Sequence, residues 1–158
     1  MAQNGPMQVV LDRTENDGVI RYLSHGSSPS SVRVERPTRE TDVWHLGAHP
    51  DIVEHLWVRL NGQLPRDMRV LLADTAALAD PAGGLVLAVV LGTEYAVRLT
   101  GEGLDAALAA EHHTMHVFTT VERTLDLAAA FGAGWVFGRF DEREGSWLRA
   151  SLEDQSNL

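Results

Sequence analysis

The chain has 158 residues, 44% of them apolar, and a formal net charge of −9. It holds no cysteine, and all 13 basic residues are arginine. The missing amine and thiol remove Schiff-base chemistry, the phosphate-loop lysine, disulfides, thiolate zinc sites and cysteine nucleophiles.

Length and apolar content fit a single domain with an ordinary core. Residues 1–42 carry six acids and five arginines, residues 43–121 nine and four, and residues 122–158 seven and four. Arginines never cluster free of acids, so no nucleic acid and no anionic membrane is expected as partner. The first six residues lack the basic and apolar regions of a secretory signal, and the longest apolar run, 85–91, is far below a membrane span. These features lead us to expect a cytoplasmic protein.

The first 41 residues read as a β-arm. Residues 7–11 and 19–23 are β-prone runs around a turn-rich 15–18, residues 24–31 form a serine-rich linker, and residues 32–36 alternate like a strand. Such a hairpin or meander either joins the main sheet or reaches a second copy, which predicts a homodimer through 7–36.

The body is expected over 42–158. Residues 44–46 suggest a short strand. Residues 50–61 predict the best helix, with Pro50 in the first turn and Ile52, Val53, Leu56, Trp57 and Leu60 on one face. Residues 68–73 are β-prone, and 75–79 read as their continuation after a kink. The apolar run 85–91 belongs in the sheet centre. Gly92-Thr93 fits a hairpin turn, followed by a strand with Tyr95, Val97 and Leu99 on one face and Glu94, Ala96 and Arg98 on the other. A helix over 101–111, strands at 115–119 and 124–127, and a final helix over 141–153 complete the order. Asp141 and Glu144 read as a capping box for that last helix. The fold class is therefore α+β: a mostly antiparallel sheet with two to three helices packed on it, plus the N-terminal arm.

Candidate chemistry is sparse. The element order resembles that of a large nuclease superfamily, with Asp74 or Asp80 and Glu94 as acids, but Ala96 stands where a lysine is needed. Two histidine groups occur: His45, His49 and His55 with Asp51 and Glu54, and His112, His113 and His116 beside Glu111. Neither matches a standard metal string, so no metal and no cofactor is expected. Asp51 and His55, four apart on the helix, are expected on its solvated polar face. Residues 131–138 contain Gly-x-Gly-x-x-x-Gly, a near miss of the dinucleotide fingerprint. They read instead as a turn seating Trp135 and Phe137. No serine elbow is present.

The sequence leaves open whether the chain is an enzyme. It is best read as a binding or accessory module without catalytic activity, acting on a protein partner or on itself. Its binding residues would be His49, Glu94, Arg98 and Trp135, in a cleft between the Glu94/Arg98 strand face and the His49 end of the first helix. The alternatives are a small hydrolase with a histidine–carboxylate metal site, and an acidic immunity or antitoxin-like protein.

Overall fold

A computed structural model describes residues 13–24, 33–38, 41, 49–112, 116–120, 123–126 and 131–156. The architecture is α+β, as composition and element order suggest. Its frame is a six-stranded antiparallel sheet in the order β1-β2-β3-β4-β5-β8. The strands are β1 (Val34–Glu35), β2 (Arg69–Leu72), β3 (Thr75–Ala79), β4 (Val86–Leu91), β5 (Glu94–Arg98) and, after a separate pair β6 (His116–Thr120) and β7 (Arg123–Asp126), β8 (Trp135–Phe137).

Four helices surround the frame: α1 (Asp17–Leu23), α2 (Pro50–Glu54), α3 (Gly101–Ala109) and α4 (Arg143–Ser156). Helix α2 continues as a wider π-helical stretch over His55–Leu60. Among the described residues no helix is long and apolar enough to cross a membrane.

β4 is buried on both sides, as its unbroken apolar run requires. On one side, here the inner face, Leu78, Leu87, Val90, Tyr95, Val97 and Val136 pack with Ile52, Leu56 and Leu60 of the α2 segment and with Leu148 of α4. On the outer face, Leu72, Ala77, Val86, Val89, Ala96 and Trp135 pack with Val19 and Ile20 of α1 and with Phe131. Alternation slips once. The pairing of β3 with β4 shifts register at Leu78/Ala79, so Leu87 and Ala88 both serve the inner cluster, as a bulge allows.

Two expectations are corrected. Residues 19–23 form part of a helix, not a strand. Val19 and Ile20 bury on the sheet, and the Asn16 side chain ties its entry to the Gly84 carbonyl (2.8 Å) and the Val86 amide (3.0 Å). Tertiary burial overrides the local β preference. Residues 75–79 do not continue the preceding strand but fold back on it through Ala73 and Asp74, both at positive φ (50° and 62°). The glycines of residues 131–138 do make a turn, with Gly132 and Gly134 at positive φ, and it seats Trp135 in the outer core with Phe137 packed against it; Trp135–Phe137 then runs on as an edge strand paired with β5. The expected strands at 7–11 and 44–46 and most of the linker 24–31 lie outside the described residues. Of the proposed arm, α1 and β1 are seen packed on or paired with this same sheet.

Candidate functional site

The densest gathering of chemistry-bearing side chains lies on the inner face, where α4 begins. Glu144 is completely buried. Its Oε1 accepts from His55 Nε2 (3.1 Å) and from the Tyr95 hydroxyl, and its Oε2 from His112 Nε2 (2.8 Å) and the Arg139 amide (2.9 Å). The Tyr95 oxygen in turn accepts from the Phe140 amide at 2.6 Å. Burial pushes the Glu144 carboxyl up, but the bonds from His55, Tyr95, the Arg139 amide and His112 outweigh it and hold the carboxyl below its ordinary value. Burial, together with the carboxylate, pushes the Tyr95 phenol well above its ordinary value. An ionised carboxylate only accepts, so both Nε2 atoms are donors, which fixes the histidine tautomers whenever the rings are neutral.

The surroundings are built around this hub. The His55 ring lies against Tyr95 (5.1 Å) and Phe140 (5.0 Å), and His112 meets Trp147 edge-on at 5.0 Å. Gly138 lies so close to the Tyr95 ring that a Cβ there would overlap it. Gly145, unfavourable by propensity inside a helix, leaves room for the Gln63 amide, which donates to the Glu142 carbonyl at 3.1 Å. Glu111 and Phe140, next to hub residues in the chain, adopt left-handed φ of 66° and 56°. Such backbone is costly for non-glycine residues and persists where the surroundings over-determine it. The Arg139 guanidinium bonds the Glu111 carbonyl (2.9 Å) and so ties these two turns together.

Beside the hub, His55, Arg59, Gln63 and Glu142 line a cavity of about 290 Å³. Only the rim of His55 reaches it, since that side chain is 4% exposed. Among the described residues no group of three or more His, Asp or Glu side chains is arranged to hold a metal ion. A larger hollow of about 400 Å³ runs along α4, lined by Met68, Leu152, Arg66, Asp80, Arg149 and Glu153. Its arginines are already paired, Arg66 with Asp80 and Arg149 with Glu153.

The residues singled out from sequence fall elsewhere. His49 is an exposed helix cap whose Nδ1 accepts from the Asp51 amide at 3.1 Å. Its helix packs on the inner face, whereas Arg98 shares the outer face with Ala96. The expected cleft between them is therefore not formed, because the sheet stands in the way. Glu94 is exposed at the far end of β5. His55, expected on the solvated side of its helix with Asp51, is instead turned into the core by Glu144. His45 and His113, and the side chain of His116, lie outside the described residues.

Arg98 and Trp135 do come together. They are direct cross-strand partners of β5 and β8, so both side chains stand on the outer face. Arg98 is partly buried, yet its Nε and Nη1 are sealed from solvent without a hydrogen-bond partner. Trp135 is 2% exposed, and its indole Nε1 is likewise unpaired. Burial lowers the Arg98 pKa, opposed by the charge of Glu15 and reinforced by that of Arg13. Glu15 is itself held by Arg13, Nε to Oε1 at 3.2 Å and Nη2 to Oε2 at 2.7 Å.

Compared with known proteins, the chain matches no family model, no curated protein and no solved structure.

Proposed function

We propose that this chain is a binding or accessory module without catalytic activity of its own, and that its ligand-facing surface is the outer sheet face around Arg98 and Trp135. The observation that carries this is the set of three sealed, unpaired donors on neighbouring strands. A buried polar group without a partner costs about 1–3 kcal/mol, so folds retain few of them. Three side by side are a burden that a ligand would relieve. The hub supports the same reading from the other direction: its carboxylate, imidazoles and phenol are bonded to one another beneath the surface. On this reading the module works in the cytoplasm.

The test is stability without ligand. An arginine kept for structure is missed when removed, whereas one kept for a ligand is not. Arg98→Met should leave the urea unfolding free energy within about 1 kcal/mol of the parent, or raise it. A loss of about 2 kcal/mol or more would make Arg98 a structural residue and overturn the assignment.

A further inference from the structure

We infer that the cavity beside the hub, lined by His55, Arg59, Gln63 and Glu142, binds a free α-amino acid with an apolar side chain. The site belongs to the inner face and goes beyond the outer-face reading above. Room gives the first argument. The cavity holds about 290 Å³, at the small end of the roughly 300–1,000 Å³ usual for small-molecule sites. That suits a molecule the size of one amino acid. One wall is the π-helical stretch His55–Leu60, which brings His55 and Arg59 to the same cavity. Such windings are rare and recur at functional sites.

Polarity gives the second. His55 Nε2 is committed to Glu144, which makes Nδ1 the acceptor of the neutral ring. The side chain is 4% exposed. Unlike His112 Nδ1, its Nδ1 is not sealed, and it has no hydrogen-bond partner. Nδ1 is therefore the polar atom that His55 turns to the cavity. The Gln63 amide nitrogen donates to the carbonyls of Glu142 (3.1 Å) and Arg59 (3.4 Å), which leaves its Oε1 without a partner. With the Glu142 carboxylate the lining offers three acceptor groups, and an ammonium brings three donors.

Charge gives the third. Arg59 and Glu142 line the same cavity, yet neither side chain is ion-paired, with each other or with any other group. A cation alone, a metal ion included, would meet the Arg59 guanidinium, and an anion alone would meet the Glu142 carboxylate. A zwitterion satisfies both, with its ammonium on the three acceptors and its carboxylate on the fork of Arg59. The Phe140 ring, 5.0 Å from that of His55 and 52% exposed, supplies apolar surface for the side chain.

The experiment titrates the full chain with L-leucine by calorimetry at constant ionic strength, and follows the Gln63 side-chain amide by nitrogen–proton correlation spectroscopy. Isoamylamine, which lacks the carboxylate, isocaproate, which lacks the amine, and L-aspartate, which lacks the apolar side chain, are separate arms. Leucine should bind with a Kd of about 1 mM or tighter and shift the Gln63 signal saturably. Each of the other three should bind at least about tenfold more weakly. Arg59 and Glu142 are exposed, so Arg59→Met and Glu142→Gln should keep the spectrum of the folded parent while each weakens leucine at least about tenfold. Absence of saturable leucine binding, an arm that binds as tightly as leucine, or an unchanged titration in both variants would overturn the inference. None of these measurements touches Arg98, so failure here and failure of the outer-face reading are separate results.

Discussion

Two polar clusters sit on opposite faces of one sheet, and they resolve their burial in opposite ways. On the inner face a single acceptor group, the Glu144 carboxylate, meets four donors: two imidazoles, a phenol and a backbone amide. On the outer face three donors from Arg98 and Trp135 meet no acceptor. Apart from His112 Nδ1, which is buried without a partner, the members of the hub are matched, so the first cluster reads as architecture and the second as incomplete. The same strand, β5, serves both, with Tyr95 on one side and Arg98 on the other. Alternation along five residues is enough to place Tyr95 in the hub and Arg98 among the unpaired donors.

The sharpest way to break this comparison is to remove the acceptor. Glu144→Leu strands the donors of His55, His112, Tyr95 and Arg139, and should cost roughly 3–5 kcal/mol in urea unfolding. A loss under about 1 kcal/mol would mean that the hub is not architectural. Acid offers a second view of the same group. The folded-state pKa of Glu144 is depressed, so its contribution is fully present above the ordinary carboxylate value of about 4.3 and is lost as pH falls through the lower folded value. The parent should therefore lose stability on acidification more steeply than Glu144→Gln below about pH 4.5. Parallel curves for the two proteins would contradict the depressed value. Asp67 and Asp141, held at about 2 by Arg69 and Arg143, add to the acid limb of both proteins alike.

A smaller effect is expected at Tyr95. Tyr95→Phe keeps the ring against Gly138 but leaves the Phe140 amide without its acceptor and Glu144 without one donor. Calorimetry should register a loss of about 1–2 kcal/mol. An unchanged melting temperature would mean that water replaces the hydroxyl there. Arg98→Met, near zero or stabilising, is the smallest effect and completes the contrast.

Much of the sheet was legible in the sequence because its cues are local. The apolar run at 85–91 and the alternation over 94–98 each carry their own periodicity, and both strands lie where that periodicity puts them. The hairpin at Ala73-Asp74 was not legible, since neither residue is the glycine or asparagine that usually marks positive φ. Helix α1 was hidden by Val19, Ile20 and Tyr22, β-formers whose helical state depends on what they pack against. The hub was harder still. Glu144 carries the signature of a helix cap, and nothing near it in sequence hints at His55, 89 residues away, or at Tyr95, 49 away. Sequence reasoning did single out Arg98 and Trp135. What it lacked was their adjacency, which only the pairing of β5 with β8 supplies, and the intervening sheet that separates them from His49.

The span of the hub also has a consequence in time. Its donors come from the α2 segment, from β5 and from the turns after α3 and β8, while the carboxylate that accepts from them arrives with α4. During synthesis, two imidazoles and a phenol therefore emerge with no carboxylate to receive them. The inner face is complete only once α4, which supplies Glu144 and Leu148, is in place. Contacts of such long sequence separation form slowly, so an interval remains in which the half-made inner face is exposed. Pausing translation before residue 143 should prolong that interval and recruit a chaperone that the finished protein no longer needs.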